Sequence, residues 1–198
     1  MARPRTVSDE DILEAAARVV ARRGPVQATL AEIGEEVGVT ASAIVQRFGT
    51  KRKLLLAISQ RSVREVASAF AKARARHPRD AATAAVEGLV TLTEGFAETP
   101  RDLANSLSFL QLDLTDPEFR APGLAFHEAQ REGVRALVAE ATQKGLLHRT
   151  PSPEALARAL LVAYNGSLIV WALHGEGTLT DTLRRDLEAV LAPYRVPS

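Results

Sequence analysis

Apolar residues recur along this chain three and four positions apart, with no sustained alternation of β-branched and aromatic residues with polar ones. The pattern predicts an all-α protein. Ile12, Ala15, Ala16, Val19 and Val20 fall on one face of a first helix. Ser8 and Asp11 open it, Gly24 closes it, and Pro25 blocks its resumption. Thr29 and Glu32 have capping-box spacing, in which each side chain meets the other residue's free N–H. They start a short helix with Leu30, Ile33 and Val37 inward, stopped by Gly38. Thr40 opens a third short helix with Ile44 and Phe48 inward, ended by Gly49. Thr50 opens a long helix from Lys51 to Arg76, closed at His77-Pro78.

The rear of the chain repeats this grammar. Helices are predicted from Arg79 to Ala97 and from Pro100 to Leu112, the latter capped by Thr99 with Asp102 in its first turn. Asp116-Pro117-Glu118 is another start, which Pro122-Gly123 interrupts, so the main helix runs from Leu124 to Gln143. Ser152-Pro153-Glu154 opens a helix to Leu173, and Thr180 caps a last one to Leu191. The nine helices show no fixed-period repeat. They divide into a helix-turn-helix domain over 1–50 and a larger helical domain over 51–198, with the helix over 51–76 connecting the two.

Composition narrows the class. The chain has 198 residues, 46% hydrophobic and 25% charged, which suits a globular protein with a real core. With no cysteine, it has no disulfide, thiolate nucleophile or Cys-based zinc site, and it fits a reducing compartment such as the cytoplasm. Asp9, Glu10 and Asp11 interrupt the first twenty residues, so no secretory signal is read there. The most apolar stretch, Ala159 to Leu173, falls short of the ~20 residues of a membrane span and is broken by Asn165, Gly166 and Ser167, so no membrane partner is expected. Charge is uneven. Residues 1–76 hold 14 Lys and Arg against 8 Asp and Glu, a net of +6, and the remainder is net −5. A basic front half faces an anionic partner.

The segment from Thr29 to Lys51 carries the chemistry. Two short helices joined at Gly38-Val39, with apolar residues fixing their crossing, form a helix-turn-helix. Gly34 lets the second helix approach closely. The outward face of the third helix is then Ala41, Ser42, Val45 and Gln46, small or neutral groups that enter a major groove without a charge penalty. Thr40, Arg47 and Lys51 lie at its edges, where phosphates would pass, and the alternative for the two cations is a solvated surface role. Thr29 presents a helix N-terminus suited to a phosphate oxygen, and Arg3 and Arg5 form a basic arm ahead of the first helix.

The stretch from Val7 to Leu55, including "TLAEIGEEVGVTASAIVQRFGTKRKLL", resembles the DNA-binding domain of the tetracycline-repressor-like (TetR) family of bacterial transcription regulators. The small-residue turn, Phe48 near the end of the recognition helix and Lys51 soon after fill the family's places. Val45 stands where the family usually has an aromatic, commonly Tyr, and Arg47 where it often has His. The resemblance implies a homodimer that binds a palindromic double-stranded DNA operator, usually as a repressor, and releases it when a small molecule fills the rear domain.

In that rear domain Phe96, Phe109, Phe119, Phe126 and Trp171, beside Asn105, Gln111, His127 and Asn165, suggest an apolar pocket with a few polar groups for a hydrophobic or amphipathic effector. The alternative is that the aromatics are core. Leu160, Leu161, Tyr164, Leu168 and Trp171, with Leu183, Leu187 and Val190, recur at helical spacing and suggest a four-helix dimer interface, the alternative being burial within their own domain. No hydrolase, phosphate-loop or dinucleotide motif is present. His127-Glu128 begins like a zinc-protease helix, but Arg131 stands where the second His is needed. Asp113, Asp116 and Glu118 suggest a metal or carboxylate pair, although a helix cap explains the last two. A non-enzymatic regulator with no cofactor is expected. The alternatives are the same regulator without a small-molecule ligand, or an all-helical enzyme or carrier.

Overall fold

The structure, a computed structural model, describes residues 7–94, 97–148 and 150–196. Among them are nine α-helices and no strand: α1 (Asp9–Gln27), α2 (Leu30–Val37), α3 (Ala41–Phe48), α4 (Lys51–Arg76), α5 (Ala81–Thr91), α6 (Pro100–Thr115), α7 (Pro117–Gln143), α8 (Pro153–His174) and α9 (Leu179–Leu191). Each begins at a Ser, Thr or Asp whose side chain accepts a backbone N–H of its own first turn: Ser8, Thr29, Thr40, Thr50, Asp80, Thr99, Asp116, Ser152 and Thr178. Ser8, Thr29 and Thr99 complete reciprocal capping boxes with Asp11, Glu32 and Asp102.

Several boundaries differ from the sequence reading, and α6 runs three residues further, to Thr115. Gly24 takes φ 78°, but it kinks α1 instead of ending it, and a further turn reaches Gln27. Pro25 opens that turn, where a missing N–H costs nothing. α5 stops at Thr91, short of Ala97. There the Thr93 hydroxyl donates to the Val90 carbonyl at 2.7 Å, so a side chain competes with the helix ladder. α7 runs unbroken through Pro122. An interior proline costs a helix roughly 3 kcal/mol. Packing offsets it: Phe119, one turn earlier, is wholly buried, and Gly123 lies against α6. α9 is capped by Thr178, two residues before Thr180.

The buried residues form two cores. Ile12, Ala15, Ala16, Val19, Val20, Ile33 and Ile44 pack with Leu54, Leu55 and Ile58 from the first turns of α4, and with Phe119 of α7. The larger core gathers Val66 and Phe70 of α4 with α5, α7, α8 and α9. α4 thus serves both. α8, at 22 residues, has the length and composition of a membrane span, contrary to the shorter stretch read from sequence. In the fold Leu156, Leu160, Tyr164, Leu168 and Trp171 line one side of it and are buried in the second core.

Phe70 is wedged between α5 and α7. A Cβ added at Gly88 would lie 2.3 Å from its Cδ1, and one at Gly133 would lie 2.5 Å from its Cδ2. The ring is confined on both sides, so neither helix tolerates a methyl group. Gly88→Ala is expected to lower the unfolding free energy by about 1–3 kcal/mol despite alanine's better helix propensity. Urea denaturation reads the loss, and Phe70→Leu in the same chain should recover part of it.

Candidate nucleic-acid interface

The first core seats the helix-turn-helix. α2 ends at Gly38, φ 74°, whose N–H and that of Val39 both reach the Gly34 carbonyl. At Gly34 an added Cβ would sit 2.3 Å from the Val39 carbonyl oxygen, so only glycine lets the turn fold back on α2. α3 sinks Ile44 into the core and half-buries Phe48 and Ala41. Its solvent face is Ser42, Val45 and Gln46, with Arg47 beside them and Val45 44% exposed. The Thr40 hydroxyl caps Ala43 N–H at 3.2 Å and lies 2.9 Å from that of Ser42.

The expected phosphate ligands are engaged within the chain. Arg47 Nη1 donates to the Val7 carbonyl at 2.8 Å and lies 3.4 Å from Asp9 Oδ1. Lys51 Nζ donates to the Val26 carbonyl at 2.6 Å, closing the turn after the kink, and desolvation lowers its pKa. At the start of α2 the Glu32 carboxylate already occupies the N-terminus, accepting the Thr29 N–H at 3.1 Å and its hydroxyl at 2.9 Å. The Thr29 contacts, then Arg23, hold Glu32 below the usual carboxylate range. Burial would raise Glu36, but its hydrogen bonds to Arg22 and Arg18 outweigh that and leave it lowered. Arg3 and Arg5 lie outside the described residues. Sequence reading passed over Lys53, which is exposed, carries no ion pair among the described residues, and lies against Gly49 at the end of α3. The run Thr50-Lys51-Arg52-Lys53 was its available signal.

α6 and α7 dock on this unit. Asn105 Nδ2 donates to the Arg22 carbonyl at 2.7 Å, close to the Gly24 kink. Arg52 bridges Asp116 at 2.7 Å and Glu118 at 2.6 Å, with its guanidinium 5.2 Å from the centroid of the Phe119 ring. The hydrogen bond to Asp116, then that to Glu118, raises the Arg52 pKa. A cavity of about 130 Å³ lies in the same seam. Ala17 and Val20 of α1, Ile58, Ser59 and Ser62 of α4, Ser106, Phe109 and Asp113 of α6, and Pro122, Gly123 and Phe126 of α7 line it.

Of the described residues expected around an effector, Phe109 and Phe126 line this cavity and the others do not. Asn105 serves the seam, Gln111 is exposed, and half-buried His127 stacks edge-on to Phe126 with centroids 6.0 Å apart. Asn165 borders a separate groove between α7 and α8 and donates to the Leu161 carbonyl at 2.8 Å. Trp171 is core, its indole N–H on the Gly177 carbonyl at 3.3 Å. Phe96 lies outside the described residues. Gln130, wholly buried one turn beyond Phe126, has no partner for either amide atom among the described residues.

The expected dimer residues are also placed inward. Leu160, Tyr164, Leu168, Trp171, Leu183 and Leu187 are buried in their own chain, and Leu161 and Val190 pack half-buried against the same core. Spacing alone does not say which face of an apolar helix turns outward. α8 instead exposes Val162, Ile169, Val170 and Leu173, with open space above Gly166.

The model of the family described as "Bacterial regulatory proteins, tetR family" matches residues 12–58. Over 193 residues the chain is 31% identical to the HTH-type transcriptional repressor AcnR of Corynebacterium efficiens, covering 96% of this chain and 94% of that one. This chain belongs to the TetR family of bacterial transcription regulators. A TetR transcription regulator of Haloarcula marismortui shares its fold with a TM-score of 0.78 at 16% identity, over 95% of this chain and 98% of the other. A transcriptional regulator of Saccharomonospora viridis, solved in complex with choline, aligns with a TM-score of 0.74 at 23% identity, over 96% and 98%. The TetR-family chain is thus a DNA-binding regulator and not an enzyme.

Asp113 stands apart in the cavity. It makes no hydrogen bond or ion pair among the described residues, and burial raises its pKa from 3.8 to about 6. Between those values the folded chain keeps a proton that the unfolded chain has lost, so stability falls as pH rises through that window. Asp113→Asn should therefore melt at a higher temperature than the parent at pH 8, and the gap should close at pH 4. Thermal unfolding at the two pH values measures it; an equal gap at both would show that the carboxylate carries no penalty.

Proposed function

We propose that the chain represses transcription by binding a palindromic operator as a homodimer, and that a small molecule entering the cavity of the α1, α4, α6 and α7 seam releases it. The observation that carries the reading is the exposed neutral face of α3, held outward by the glycine turn and edged by cations. Ser42, Val45 and Gln46 are the base-reading candidates, with Ala41 and Thr40 at the rim. Arg47, Lys51 and Lys53 are the phosphate candidates. Arg47 and Lys51 reach phosphates by exchanging the Val7, Asp9 and Val26 contacts they now make. Repression is supported by the name of the Corynebacterium relative, and a small effector by the choline complex of the Saccharomonospora protein. The cytoplasm, where operator DNA lies, is the place of action.

The seam links effector to operator. Two recognition helices must sit about 34–36 Å apart to read successive major grooves. An occupant between α1 and the α6–α7 pair moves the two sides of the seam relative to each other, and it favours release by the difference in its affinity for the two arrangements. The Gln130 amide, unpartnered among the described residues, supports an interior that rearranges around a polar guest. The exposed Val162, Ile169, Val170 and Leu173, with Gly166 allowing close approach, form the proposed dimer surface.

Gln46→Ala should change the preferred base at one position of each half-site by about 1–3 kcal/mol. Lys53→Ala should weaken all sequences alike and flatten the salt dependence by about one unit of slope. Binding titrations against a set of operator variants at several salt concentrations separate the two, and if neither variant changes binding, α3 is not the reading helix. Ile169→Arg should give monomers by size-exclusion chromatography with helicity intact, and a retained dimer would place the interface elsewhere.

A further inference from the structure

We infer that the cavity between α1, α4, α6 and α7 is a site for a small organic cation, an ammonium head on a compact apolar body. This rests on the reading above that the cavity takes the effector, and it adds the effector's charge.

Size sets the first limit. An apolar cavity of roughly 150 Å³ holds a benzene molecule, so 130 Å³ suits an occupant of about six non-hydrogen atoms. The lining sets the charge. Among the described residues Asp113 is the one ionisable side chain in it, and no Arg, Lys or His joins it there. Ser59 and Ser62 already donate their hydroxyl protons to the Leu55 and Ile58 carbonyls, so they offer the cavity oxygen lone pairs. Phe109 and Phe126 add aromatic rings, which attract a cation placed over their faces. A carboxylate or phosphate ligand would meet a like charge here and no cationic partner, a costly desolvation. A cation supplies the partner that Asp113 lacks. Gly123 shapes this arrangement, because a Cβ there would lie 2.7 Å from Asp113 Cγ and displace the carboxylate.

The test is calorimetric titration of the full chain with tetramethylammonium chloride. tert-Butanol serves as an uncharged body of similar size, and potassium chloride is the control at matched ionic strength. Tetramethylammonium should bind, while tert-butanol and potassium should not. Asp113→Asn should weaken that binding at least about tenfold, and Phe126→Leu should weaken it several-fold with the helical circular dichroism unchanged. Absence of tetramethylammonium binding, equal binding of tert-butanol, or unchanged binding by Asp113→Asn would each overturn the inference. Operator release is followed in parallel. Tetramethylammonium bound while the operator stays held would sink the effector reading and leave the cation site standing.

Discussion

Phe119 crosses the boundary on which the molecule is built. It belongs to α7, yet its ring is 1% exposed inside the core that positions the helix-turn-helix. Full burial of such a side chain contributes about 1.5–3 kcal/mol relative to leaving it in water. Phe109 of α6 leans on the same ring, with centroids 6.3 Å apart. The ion pairs of Arg52 with Asp116 and Glu118 lie in solvent, where such pairs contribute little, so they orient the first turn of α7 more than they hold it. Apolar burial fastens the two units, and polar contacts set the angle between them.

The same economy governs the face offered to DNA. α2 carries three acids that would repel phosphate: Glu36 is paired with Arg18 and Arg22 and Glu32 with Arg23, all from α1, while Glu35 stays exposed with no ion pair among the described residues. These pairs also clamp α2 onto α1. What remains forward is α3, whose outward side chains are uncharged except for Arg47. These internal pairs leave the net charge of +6 read from the front half unchanged; they fix where its paired cations stand.

What could be read in advance was local. Caps such as Ser8, Thr29 and Thr40 act within one turn, and the demand for glycine at 34 and 38 arises within eight residues, so the helix-turn-helix was legible almost to the residue. Features set by distant neighbours were not. Pro122 looked like a break because its cost is local and the burial of Phe119 that offsets it is not. Leu160 and Val162 are equally apolar in sequence, and only the arrangement of α6, α7 and α9 around α8 decides which is core and which is surface. Arg47 and Lys51 were read as lying at the edges of the third helix, but the carbonyls they bind, Val7 just before α1 and Val26 in its last turn, lie 40 and 25 residues away in sequence. Asp113 gave its only hint as a possible metal or carboxylate residue. Its isolation comes from Gly123 of the next helix.

The nine self-capped starts have a mechanical corollary. A rod whose own cap side chain accepts one of its leading N–H groups asks less of its neighbours' backbones at that end. Such rods can slide or tilt a little without stranding a peptide group. The resistance to a change of shape at the seam is then concentrated in a few side chains, Asn105 and Phe119 above all.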